Sequence, residues 1–248
     1  MRASSSSPSS GPDRRRCGRT AARPTGNLAV RSYTGGMDCC RGAVCQEVFG
    51  EKAARHDLKR YRKNGLRRIE RQMIAAVPEA ILKGGRVLEI GGGIGTLQAE
   101  LVAGGAASGE IVELVGAYAP FARELAESRG LAGRTSFRVA DLLTGDGSVS
   151  PADIVILNGV VCCTPDGLAL LREAAALTRG MLLLSYPRQS PWTRPVVASI
   201  NAYMAIRRRA YRAFLRPTSE MVAAAESGGL RLSARRRWWG FEFVGLAA

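Results

Sequence analysis

The stretch Arg86-Val87-Leu88-Glu89-Ile90-Gly91-Gly92-Gly93-Ile94-Gly95-Thr96 constrains the fold more than any other part of the chain. Val87 to Ile90 read as a short buried strand that runs directly into a glycine turn, with a helix starting near Gly95. Glycine at alternate positions 91, 93 and 95 leaves the turn without β-carbons, so a ligand can lie against the backbone itself. A nicotinamide dinucleotide site requires G-x-G-x-x-G. Counted from Gly91 that pattern fails, because Thr96 follows Gly95.

Two further acids follow at strand ends. Glu110 to Leu114 is an apolar run ending at Glu113, 22 residues beyond Gly91. That spacing suits a carboxylate accepting from both hydroxyls of a ribose. Thr135 to Ala140 reads as a third strand and delivers Asp141 and Leu142. Taken alone, Asp141 is equally well read as a turn cap. A fourth strand, Asp153 to Leu157, leads into Asn158 at the sheet edge where open α/β folds bind ligands.

The pattern Glu89-x-Gly91-x-Gly93-x-Gly95, with Glu113 and Asp141 after it, resembles motif I and the following acids of the class I S-adenosylmethionine-dependent methyltransferases. The resemblance covers residues 50–248. It implies a Rossmann-like α/β fold, with a mostly parallel seven-stranded sheet whose last strand is antiparallel. It also implies S-adenosylmethionine as cofactor and methyl transfer to a small-molecule acceptor by in-line displacement. The expected cofactor-binding residues are Glu89, Gly91, Gly92, Gly93, Gly95, Glu113, Leu114, Asp141, Leu142 and Asn158, with Asp141 accepting from the adenine amino group and Leu142 packing on the ring. More narrowly, Asp38-Cys39-Cys40, Cys162-Cys163 and Ser185-Tyr186-Pro187 are similar to a bacterial small-molecule group that includes magnesium-protoporphyrin O-methyltransferase-like proteins. The porphyrin substrate is not carried over. Asn158-Gly159-Val160 departs from the Asn-Pro-Pro-aromatic motif of amino-methylating nucleic-acid enzymes, which argues against a base as acceptor. A binding protein that has lost transfer activity, or a nucleic-acid-directed enzyme, would share the glycine turn.

The chain carries a net charge of +15, of which +6 falls in residues 1–36. That Ser-, Arg- and Pro-rich stretch lacks apolar periodicity and is expected to be a disordered basic tail, a transit peptide, or sequence upstream of a true start at Met37. Residues 37–85 form a cysteine-containing segment and helical cap, with helices expected over 51–64 and 66–77. Residues 86–248 form the binding domain. By the resemblance, Tyr61 and Arg62-Lys63-Asn64-Gly65 approach the cofactor cleft; read from the residues alone they sit on a solvated basic face. The runs Arg207-Arg208-Arg209 and Arg235-Arg236-Arg237 could face phosphates or simply water.

Cys39, Cys40, Cys45, Cys162 and Cys163 lack the C-x2-C spacing of a zinc site, so no metal ligands are assigned; the alternatives are a redox cluster and small buried residues. Cysteine usage and the absence of an apolar signal segment point to a cytoplasmic location, and no apolar run is long enough for a membrane span. Val196, Ile200, Tyr203, Tyr211, Phe214 and Leu215 fall at helical spacings, and residues 190–217 are expected to form a substrate lid, a helix packed on the sheet, or a membrane-surface helix. No general base is assigned. His56, Tyr61, Tyr186 and Glu47 are the candidates.

Overall fold

The computed structural model describes residues 44–145 and 149–248. After helical residues 44–46 the chain forms α1 (Glu51–Asn64), α2 (Arg68–Ala75) and α3 (Glu79–Leu82). The sheet then begins with β1 (Arg86–Ile90), α4 (Thr96–Ala103), β2 (Ser108–Glu113), α5 (Ala119–Ser128) and β3 (Thr135–Val139). It continues with β4 (Ala152–Asn158), α6 (Gly167–Ala176), β5 (Thr178–Pro187), α7 (Thr193–Ile206), α8 (Thr218–Glu226), β6 (Arg231–Arg237) and β7 (Phe241–Ala247).

Seven strands form one sheet in the order β3-β2-β1-β4-β5-β7-β6. The first five pair in parallel, and β7 runs antiparallel to both β5 and β6. The expected topology is therefore the observed one. Parallel strands covered on both faces read as continuous apolar runs, and β4 shows why. Ile154 and Ile156 enter the core layer beneath α1, α2, α4 and α5. Val155 and Leu157 enter the opposite layer, with α6 and α8. Both sheet edges are polar: β3 is half-exposed, and β6 carries Arg231, Arg235, Arg236 and Arg237, which discourages pairing with another chain.

Some boundaries differ from the sequence reading. The second helix covers 68–75 rather than 66–77, because Gly65 adopts φ +65° and Arg67 is extended. The largest difference lies after β5. Helical spacing of apolar residues runs through to Leu215, yet α7 ends at Ile206, and Arg208 takes φ +52°. Tyr211, Phe214 and Leu215 therefore lie on irregular chain, and Tyr211 is buried there. The fold turns at one place that matters for ligands. From β1 the chain steps outward to β2 and β3, then returns to the other side of β1 as β4, leaving a crevice at the carboxyl ends of these strands.

Candidate functional site

That crevice holds a cavity of about 700 Å3, within the roughly 300–1,000 Å3 range of small-molecule sites. Its floor is the glycine turn. Gly91 has φ +62°, and a β-carbon there would lie 2.7 Å from Val160. Only glycine fits, which brings bare backbone to the cavity wall. The amide of Gly93 donates to Glu113 Oε2 at 3.1 Å, and the amide of Val115 donates to Glu113 Oε1 at 3.1 Å. The two bonds fix the carboxylate at the tip of β2, beside the turn. Burial pushes the Glu113 pKa upward, and those backbone bonds hold it back.

Glu89 is 2% exposed, and its Oε2 accepts from the Gln98 amide at 3.0 Å, capping the start of α4. Burial raises its pKa to about 8, with Glu70 and Glu113 adding to the effect. Asp141 Oδ1 accepts from the Leu143 amide at 3.0 Å, so the turn-capping bond foreseen for it is present while the residue also lines the cavity. Glu89, Gly91, Gly92, Gly93, Glu113, Leu114, Asp141, Leu142 and Asn158 all line this one cavity. Gly95 does not. Its φ of +74° starts α4, and a β-carbon would meet Ile111 at 2.3 Å, so what forces glycine there is packing against β2 rather than the cavity.

The lid of the crevice comes from residues that sequence reasoning missed. Asp57, Arg60, Arg67, Arg68 and Glu70 close it from α1, α2 and the turn between them. Glu70 is buried; its Oε2 accepts from the Arg67 amide at 2.6 Å. Its Oε1 accepts from Asn158 Nδ2 at 3.4 Å, and Asn158 Oδ1 accepts from Ser185 Oγ at 2.5 Å. A hydrogen-bonded chain thus ties the cap to the tips of β4 and β5. Tyr61, expected near the ligand by resemblance, instead bonds Glu100 and Arg129 outside the cavity, and Arg62 pairs with Glu124 at the surface.

The remaining wall is apolar: Phe49, Pro187, Trp238 and Phe241, with Cys45, Cys162 and Cys163. Cys162 and Cys163 Sγ are 3.7 Å apart, and the Tyr211 hydroxyl donates to Cys163 Sγ at 3.2 Å. The neighbouring Cys162 thiol, and then Tyr211, lower the Cys163 pKa against the opposing effect of burial. Cys45, Cys162 and Cys163 therefore share the cavity wall, whereas Cys39 and Cys40 lie outside the described residues. Among the described residues no group of three acids, cysteines or histidines could hold a metal ion.

The base candidates named from sequence sit elsewhere. His56 is on the surface, Tyr186 bonds Thr218, and Glu47 accepts from the Ala210 amide. No residue of 190–217 lines the cavity, so the expected substrate lid is not part of its wall; the segment backs that wall through Tyr211 on Cys163 and Phe49, the Phe214 amide on Cys162 O and Arg216 on Thr164 O. Trp238, Phe241 and Glu70 carried no local signal. Their positions depend on a hairpin and a cap brought in from the two ends of the chain.

Solved structures share this architecture. An O-methyltransferase family protein from Burkholderia thailandensis matches with a TM-score of 0.59 at 21% identity, over 80% of this chain and 63% of that one. Magnesium protoporphyrin IX methyltransferase from Synechocystis, crystallised with S-adenosylmethionine, matches with a TM-score of 0.60 at 16% identity, over 90% of this chain and 99% of that one. An O-methyltransferase family 2 protein from Planctomyces limnophilus, in complex with apigenin, gives a TM-score of 0.60 at 16% identity, over 79% of this chain and 61% of that one. No curated protein sequence matches the chain. The methyltransferase domain family matches residues 58–238, most of the chain and all of the crevice's floor. The chain belongs to the methyltransferase domain family and has the class I fold of S-adenosylmethionine-dependent enzymes.

Proposed function

We propose that the chain transfers a methyl group from S-adenosylmethionine to a small, largely apolar acceptor. One observation carries the reading: a glycine turn without β-carbons lies beside a carboxylate that its own amide holds at the tip of β2, inside a single cavity. That cradle fits a nucleoside. Glu113 would hold the ribose hydroxyls, Asp141, Leu142 and Leu114 the adenine, and Gly91, Gly92 and Gly93 the path between sugar and amino acid. Glu89 stands behind the turn, where it keeps the start of α4 and hence the turn in shape. Asn158, Glu70 and the cap arginines Arg60, Arg67 and Arg68 also line the cavity, where a zwitterionic amino acid would meet both signs of charge.

When bound, S-adenosylmethionine supplies a methyl group already activated on a sulfonium, so the protein's task is alignment and exclusion of water. Phe49, Pro187, Trp238 and Phe241 make a dry wall suited to an aromatic or alicyclic acceptor. If that acceptor is a hydroxyl, Cys163 Sγ on the cavity wall would take its proton. Cys162 and Tyr211 both stabilise the thiolate that would do so. A nucleic-acid acceptor has less support, because Asn158-Gly159-Val160 departs from the Asn-Pro-Pro-aromatic motif of amino-methylating nucleic-acid enzymes.

Isothermal calorimetry with S-adenosylmethionine tests the cofactor claim, and an acceptor panel read by mass for one added methyl tests transfer. Uptake with no turnover on any apolar hydroxyl, thiol or carboxylic acid would leave a binding protein and sink the enzymatic reading.

A further inference from the structure

The helix α7 is out of place on a water-soluble surface. Fourteen residues long, it carries one charged side chain, Arg194, and buries only Thr193. Trp192, Val196, Ile200, Tyr203 and Ile206 are all exposed, Trp192 by 65%, Tyr203 by 57% and Ile206 by 79%. At about 100° per residue they fall within an arc of about 120°, so they form one apolar stripe rather than scattered exposures. The tip of the β6–β7 hairpin continues that stripe. Arg188 donates its amide to Gly240 O at 3.0 Å, and a β-carbon on Gly240 would touch Thr193 at 3.7 Å. Trp239, 75% exposed, and Phe241, 48% exposed, therefore flank the glycine that meets the start of α7.

Charge marks what this face meets. Between residues 187 and 219 the chain has seven arginines and no aspartate, glutamate or lysine. Three of them, Arg207-Arg208-Arg209, follow directly on Ile206. An apolar stripe rich in tryptophan and tyrosine, flanked by arginines with no acid among them, is complementary to anionic headgroups over acyl chains. A nucleic acid would reward the arginines but not the isoleucines. No helix among the described residues is long and apolar enough to cross a membrane, so contact is at the surface.

We infer that α7 and the β6–β7 hairpin tip form a docking face for an anionic lipid bilayer. The inference rests on the proposed activity only in its consequence: Phe241 belongs both to this face and to the cavity wall, so docking would set the apolar side of the cavity next to the membrane. The acceptor class that follows is a molecule that partitions into lipid.

The test is sedimentation of the full chain with phosphatidylcholine vesicles, with and without phosphatidylglycerol. Binding is expected to the mixed vesicles and to be far weaker to phosphatidylcholine alone. Arg209 already donates to the Glu47 carbonyl, so replacing Arg207 and Arg208 together by glutamine should weaken binding roughly 25-fold, since each arginine near an anionic surface contributes roughly a fivefold factor. Ile200→Ser with Ile206→Ser should weaken it by roughly tenfold or more through lost apolar burial. Calorimetric uptake of S-adenosylmethionine by the variants checks that they fold. Should they not fold, the unaltered chain still decides: Trp192 and Trp239 fluorescence should be quenched by brominated acyl chains in the mixed vesicles. Several results overturn the inference: no binding to the mixed vesicles, no quenching, or equal binding by parent and variants, which would mean the arginine-rich first 36 residues act alone. Retention by single-stranded RNA but not by vesicles would do so as well. None of these results bears on the proposed transfer reaction, which calorimetry and turnover decide separately.

Discussion

Along the first three strands, carboxylates toward one end meet arginines, and those at the other end meet backbone amides. Glu110, buried in β2, is bracketed by the Arg86 guanidinium and by Arg138 Nε at 2.7 Å. Glu113, three residues further along the same strand, is held by the amides of Gly93 and Val115, and among the described residues no cation pairs with it or with Glu89. The first arrangement is complete and fastens neighbouring strands. The second leaves Glu113 oriented by amides with no counter-charge, at an edge where the hydroxyls of a ligand would complete its hydrogen bonding. Burial raises the pKa of both Glu89 and Glu113, the expected cost of keeping such groups without a counter-charge.

The contrast is open to direct challenge. The largest effect is expected from Glu113→Ala, which should weaken S-adenosylmethionine binding roughly 100-fold in calorimetry, since a buried diol loses its charged acceptor. Unchanged affinity would erase the distinction between the two ends. Glu110→Ala should do the reverse, lowering stability by about 1–3 kcal/mol in urea unfolding while leaving cofactor affinity nearly as it was. A large loss of affinity in that variant would show that the paired end is not merely structural.

Glu89 sharpens the comparison through pH. Its pKa in the folded chain, about 8, exceeds the ordinary carboxylate value near 4.5 in the unfolded chain, so the folded state binds the additional proton between those values. This contribution to stability is full below about pH 4.5 and is lost as pH rises towards and through about 8. Glu89→Gln should flatten the fall in melting temperature across that window; an identical profile in the variant would remove Glu89 as its source. The smallest effect is expected on the apolar side, where Tyr211→Phe should lower kcat for a hydroxyl acceptor by about tenfold, with KM for S-adenosylmethionine unchanged. Equal losses in both would make Tyr211 a packing residue.

How far the sequence reaches differs between these parts. The strands β1, β2 and β4 are legible because a strand buried on both faces must be apolar throughout, and their terminal acids can be counted from the glycine turn. Glu113 is read that way at the end of β2 and Asp141 just past β3, and both line the cavity. Glu70 was not, because a carboxylate in a charged helix looks solvated until tertiary packing turns it inward against Asn158. Gly95 fits the motif, yet its neighbour is Ile111, a contact across the sheet that no local pattern encodes. Tyr211 kept helical spacing with α7 although the backbone had already left the helix at Arg208. Periodicity reports which residues prefer burial; it cannot say whether one continuous helix buries them.

The order of the strands also bears on how the chain is made. β7 follows β6 in sequence but lies inside the sheet, between β5 and β6. Until residues 241–247 emerge from the ribosome, β5 exposes an unpaired rim and β6 has no neighbour to hold it. Synthesis therefore passes through a stage in which all but one strand exist and the sheet stays split, open to edge-on pairing with other nascent chains. A chain lacking residues 241–247 would stay permanently in that state.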